Sequence, residues 1–125
     1  MRSMVAIDGP STLAPMVGID QMVCGKPVIV PWMGGTPAEM TEPYKLASAA
    51  EFLPLGMRQM LVLAELGQFM RPYVAMAKAS GDEVVTLTPP KADHFDITTP
   101  GMPNGELVAD WIAHFAFLPP KKVDN

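Results

Sequence analysis

The residues best suited to chemistry gather in Ala92-Asp93-His94-Phe95-Asp96, a histidine between two carboxylates in a segment that reads as a loop. A loop histidine of this kind suits general acid or base work, because an unperturbed imidazole changes charge close to neutral pH. The same residue could equally be a histidine that only caps or hydrogen-bonds its own loop. A second position is Glu65, just beyond the apolar run Met60-Leu61-Val62-Leu63-Ala64. Open α/β sheets carry their working residues at such strand ends, although a solvated loop carboxylate reads the same way. A third is Ser11, in Gly9-Pro10-Ser11-Thr12-Leu13. That stretch imitates the G-x-S-x-G turn of a nucleophilic serine, but Leu13 stands where the motif needs a small residue for close helix–strand packing. Ser11 is otherwise an ordinary turn or helix-capping residue. Asp93, His94 and Asp96 lack the further ligand that a metal site needs at a convincing spacing. Gly34-Gly35 has no lysine at phosphate-loop spacing, and no glycine-rich dinucleotide fingerprint follows a strand, so no cofactor is expected.

These residues need elements to position them. Met4-Val5-Ala6-Ile7 reads as a strand closed by Asp8-Gly9-Pro10, and residues 11–32 read as short helical or irregular pieces broken by Pro15, Gly18, Gly25, Pro27 and Pro31. Thr36-Pro37-Ala38-Glu39 is a capping box that predicts a helix to about Leu46. Ser48-Ala49-Ala50-Glu51 repeats the pattern and predicts a single turn before Pro54. Met60–Ala64 has the length and continuous apolarity of a parallel strand covered on both faces. Met70, Tyr73, Val74 and Ala77 then make one helical stripe, with Pro72 in the first turn and Gly81 as the stop. Residues 83–87 form the next strand, and a last helix from near Asn104 presents Leu107, Val108, Trp111, Ile112 and Phe115 at helical spacing. Alternation of strand and helix predicts a parallel α/β sheet of about three strands flanked by helices. The expected organisation is one domain over 1–118, with 1–56 holding the first strand and a helical connection, 57–118 holding strand, helix, strand, loop and helix, and 119–125 a frayed polar tail.

Composition excludes several classes of function. The chain has 125 residues, 49% apolar and 18% charged, enough for one core that buries roughly two thirds of the unfolded surface. A net charge of −4 with scattered basic residues argues against nucleic acid or an anionic membrane as partner. No apolar run reaches the ~18 residues of a membrane span, and no signal peptide is expected after Arg2. The lone Cys24 cannot form an internal disulfide; a cytoplasmic setting and a buried, inert thiol are the expectations. Trp32, Trp111 and His114 read as structural residues packed in or beside the core. Fourteen prolines imply many forced turns, and eleven methionines supply adaptable filler or an apolar contact surface. A three-stranded sheet leaves an exposed edge, which predicts pairing in a homo-oligomer.

From Leu53-Pro54-Leu55-Gly56 through Ala113 the chain resembles the end of an α/β-hydrolase of the small esterase and formamidase-like kind. In that family a strand leads to the acidic triad member. An amphipathic helix and a further strand follow, and a G-x-x-H-F-D loop then carries the triad histidine. Ala92–Asp96 matches that loop, and Gly34–Glu39 with Tyr44 resembles the family's cap-like connection. The G-x-S-x-G elbow is absent, and the acid-bearing loop is shortened to Ala64-Glu65-Leu66-Gly67. The resemblance implies a minimal or truncated relative that hydrolyses a small ester or amide. His94 would be the general base, Glu65 or Asp96 its orienting acid, and either Ser11 or a His94-activated water the nucleophile. Two other readings stand beside it: a non-catalytic oligomeric binding protein, and one half of a split hydrolase whose partner chain carries the elbow.

Overall fold

A computed structural model describes residues 3–116; Arg2 and the polar tail lie outside them. Three parallel strands form one sheet in the order β1 (Ser3–Ile7), β2 (Arg58–Val62), β3 (Val84–Leu87), with helices flanking it. Ser3 pairs with Arg58 and Ile7 with Val62, while Gln59 pairs with Val84 and Val62 with Leu87. The central strand β2 is buried along its whole length, but it starts two residues before the apolar run Met60–Ala64 and ends at Val62, so its first two positions are the buried polar residues Arg58 and Gln59. The outer strands are only partly buried.

The chain divides into two compact units. The first takes in residues up to Gly9 and from Pro54 onward; the second is Pro10–Leu53. The first unit holds the sheet, α4 (Gly67–Ala79) and α5 (Pro103–Ala116). Met70, Tyr73 and Ala77 are buried on α4, as their spacing predicts. The helix starts three residues before Met70, however, so Pro72 lies inside it rather than in the first turn and forfeits the bond that an amide there would give Gln68. On α5, Val108 is buried and Trp111 and Ile112 pack on its cluster, but Leu107 is exposed. His114 is exposed as well, with its ring edge-on to Phe115, which corrects its expected place beside the core.

Polar groups fix the end of the sheet where β2 and β3 begin. Tyr73 Oη donates to Gln59 Oε1 at 2.6 Å, and Gln59 Nε2 donates to Asp82 Oδ2 at 2.8 Å. Asp82 also accepts the amides of Leu55 and Gly56, holding the chain as it enters β2. Arg58 pairs with Glu83 at 3.1 Å and donates to the Phe115 carbonyl at 2.8 Å, tying α5 to the same end. Buried polar groups need such partners, because an unmet one costs about 1–3 kcal/mol.

The second unit is built of short helices: α1 (Ile19–Cys24), α2 (Ile29–Met33) and α3 (Thr41–Leu46). The Thr36–Glu39 box forms reciprocally, with the Thr36 amide donating to Glu39 Oε2 at 2.7 Å and the Glu39 amide to Thr36 Oγ1 at 3.4 Å. It closes a turn rather than opening the predicted helix, which starts at Thr41. Ser48 does not cap the short 3₁₀ turn Ala49–Phe52. Its hydroxyl donates instead to the Tyr44 carbonyl at 2.8 Å and accepts the Leu13 amide at 3.1 Å. Asp20 is buried and accepts the amides of Gly18, Gln21, Val28 and Ile29, joining the starts of α1 and α2. Two expectations fail in this unit: Trp32 is 78% exposed and Cys24 is exposed, because helices of five and six residues have too little buried face to enclose them.

Candidate functional site

The first unit's chemistry lies where its strands end. Past Ile7 the Asp8 amide still donates to the Val62 carbonyl at 2.8 Å, extending the ladder by one bond. Asp8 then turns with φ at 47°, a left-handed conformation that costs most residues about 1–2 kcal/mol and that aspartate tolerates better than most. The turn carries its side chain into full burial, at 0% exposure. There Asp8 Oδ1 accepts the Ala64 amide at 2.8 Å, and both carboxylate oxygens lie 3.1 Å from the Leu66 amide. Asp8 Oδ2 meets His94 Nδ1 at 2.9 Å. A carboxylate can only accept a hydrogen bond, so it selects the Nδ1–H tautomer and leaves the Nε2 lone pair to take a proton.

His94 is held by its own loop. After β3 the chain passes Lys91, at φ 51°, and enters a turn in which Asp93 Oδ1 accepts the amides of Phe95 and Asp96, each at 2.8 Å. Those two bonds, Asp96's first, hold the Asp93 carboxyl below the usual carboxylate range. A 3₁₀ turn, Asp96–Thr98, follows, and Asp96 Oδ2 accepts Asn104 Nδ2 at 2.8 Å, docking the turn on the start of α5. Gly105 permits that approach: a Cβ there would collide with the Thr99 carbonyl and stand 3.0 Å from the Asp96 backbone carbonyl oxygen. Beneath the loop lies the cluster Val62, Ile97 and Val108, packed by Ile7, Ala64, Leu87 and Ala92. Strand ends, histidine loop and last helix therefore share one apolar floor.

The residues singled out from sequence are distributed differently from their expected roles. Glu65 is exposed, and its Oε2 accepts the backbone amide of His94 at 3.2 Å, so it steadies the loop rather than the ring. Asp96 faces Asn104, and its Oδ1 is buried with no hydrogen-bond partner. The carboxylate on the ring is Asp8, which sequence reading treats only as the close of a strand. The signal that could have found it is the one that selects Glu65, a carboxylate just past a strand's C-terminal end. Ser11 belongs to the other unit, where its carbonyl accepts the Ala50 amide at 3.4 Å. Neither Ser11 nor any other serine, threonine or cysteine among the described residues is hydrogen-bonded to the His94 ring.

No family model, curated protein or solved structure matches this chain. The site is therefore read from its own geometry. Among the described residues, no three histidine, cysteine, aspartate or glutamate side chains are gathered as a metal ion would need, and no helix is long and apolar enough to cross a membrane. What the arrangement contains is an acid–base pair. A wholly buried carboxylate fixes a histidine that is 30% exposed, with one ring nitrogen anchored and the other available.

Proposed function

We propose that the first unit is the acid–base portion of a hydrolase of small esters or amides, with His94 as general base and Asp8 as its orienting acid. The observation that carries this reading is the 2.9 Å bond from His94 Nδ1 to a carboxylate that is fully buried and backed by two backbone amides. Such a pair orients the imidazole and stabilises the imidazolium that forms as Nε2 takes a proton. In the reaction, Nε2 would remove a proton from an attacking oxygen, that oxygen would add to the acyl carbon, and the same proton would pass to the leaving alkoxide or amine. The attacking oxygen belongs either to water or to a hydroxyl brought to Nε2. Resemblance of Ala92–Asp96 to the histidine loop of α/β-hydrolases points to the same chemistry, as an analogy of motif.

A second reading is favoured by one feature of the sheet. Among the described residues β1 pairs with one strand only, β2, and it ends one residue before Asp8. A parallel strand from another chain, added to that edge, would end beside the acid–base pair and could bring a nucleophile to it. The test is hydrolysis of a short-chain p-nitrophenyl ester by the purified protein and by His94→Ala, with folding followed by circular dichroism. Turnover that disappears in a folded His94→Ala protein supports the self-sufficient hydrolase. Equal rates in both proteins, or none in either, remove it and leave the partner-dependent reading in front.

A further inference from the structure

Phe95 follows His94 directly and is 72% exposed, although hydrogen bonds hold its backbone on both sides. Its amide donates to Asp93 Oδ1 at 2.8 Å. Its carbonyl accepts the Thr98 amide at 3.2 Å, Thr98 Oγ1 at 3.1 Å and Thr99 Oγ1 at 2.8 Å. Four bonds thus fix the residue while its ring stays in water, so a loose loop does not account for the exposure. A lone exposed aromatic is ordinary on a protein surface. This one differs in its neighbour: the Phe95 and His94 rings lie edge to face, with centroids 5.4 Å apart and planes at 82°. A reacting group within hydrogen-bond reach of Nε2, about 3 Å, lies within a small substrate's length of the Phe95 ring.

We propose that Phe95 is a specificity-determining residue of the His94 site, taking the aromatic or other flat apolar group of the ester or amide against its exposed ring. The inference rests on the hydrolase reading and narrows it to substrates in which such a group lies one or two bonds from the reacting carbonyl. Ring–ring contact of this kind covers apolar surface on both partners and favours offset or edge-on geometry. A small aliphatic ester could reach Nε2 without using it.

The test compares phenyl acetate with ethyl acetate as substrates, and benzamide with acetamide as unreactive ligands, for the wild-type protein, Phe95→Ala and Phe95→Tyr. Ligand binding is followed through the imidazole proton resonances of His94, one of only two histidines in the chain, assigned with His94→Ala. Phe95→Ala removes an exposed ring while every backbone bond of the turn is retained, and Phe95→Tyr keeps the aromatic face. The expected result is that Phe95→Ala raises KM for phenyl acetate about three- to tenfold more than for ethyl acetate and abolishes the preference for benzamide, with Phe95→Tyr close to wild type. If no ester is turned over but benzamide still shifts His94 in the wild type and not in Phe95→Ala, the hydrolase reading fails and the aromatic subsite stands. Equal benzamide and acetamide responses, or a Phe95→Ala protein that binds benzamide as the wild type does, overturn the inference.

Discussion

At the scale of single residues, Asp8 has most of its side-chain surroundings assigned to one task. Its two oxygens receive the Ala64 and Leu66 amides and the His94 ring, and its backbone holds a left-handed turn to bring them there. Asp8→Asn keeps the shape and removes the charge. The amide side chain can still accept from Ala64, but it no longer compels Nδ1 to carry the hydrogen. The expected outcome is loss of the hydrogen-bonded Nδ1 proton from the low-field NMR spectrum and a destabilisation of about 1–3 kcal/mol. Where the protein hydrolyses an ester, the rate should fall by about 10²–10⁴ through disorder of the tautomer. Retention of the low-field proton in a folded Asp8→Asn protein would detach Asp8 from the ring. This residue also marks how far sequence reaches. His94 is legible because its loop is local, with Asp93 two and three residues from the amides it accepts. Asp8 is 86 positions from the histidine it contacts, and Asp8-Gly9-Pro10 reads first as a turn. Only the pairing of β1 and β3 with β2 makes the two neighbours.

At the scale of elements, buried aspartates do the work that longer helices would otherwise do. Asp82 pins the entry to β2, and Asp20 joins two helices too short to be stable alone. Neither role is visible from sequence spacing, since a carboxylate that accepts backbone amides has the same letter as a solvated one. The capping boxes show the converse: Thr36 and Glu39 do bond reciprocally, yet the helix waits until Thr41, and Ser48 spends its hydroxyl on Tyr44 and Leu13. The Asp20 arrangement predicts a pH dependence. Hydrogen bonds from the Ile29 and Val28 amides, outweighing burial, hold its carboxyl below the usual value of 3.8. A lowered folded-state value means that the ionised form stabilises the fold. That contribution is complete above the unfolded-state value, near pH 4, and is lost as the pH falls through the lowered one. Asp20→Asn should therefore melt below the wild type at pH 7, and the gap between the two melting temperatures should close on acidification below about pH 4. A gap that stays constant down to pH 2.5 would show that the charge of Asp20 contributes nothing.

At the scale of the whole chain, alternation of strand and helix is enough to read a three-stranded parallel sheet flanked by helices. The central strand runs over Arg58–Val62 rather than Met60–Ala64, because buried Arg58 and Gln59 find polar partners. Alternation is not enough to read the partition, because the first strand joins the later segment through pairs such as Ser3 with Arg58, and periodicity carries no information about partners so far apart. The same sheet frames the last prediction. Among the described residues β1 and β3 form its two outer strands, and an outer strand without a neighbour is a template for another chain. Val5, midway along β1, is 38% exposed, and the other unit exposes Met22, Trp32, Leu46 and Phe52. We expect light scattering after size exclusion to give a multiple of the 13.5 kDa chain mass. Lysine on an edge strand opposes pairing by placing charge where a neighbour would bury it, so Val5→Lys should lower the mass toward that of one chain if β1 is the edge used, and Val85→Lys if it is β3. A wild-type protein that runs as a monomer at high concentration would mean that the edges are tolerated as they stand.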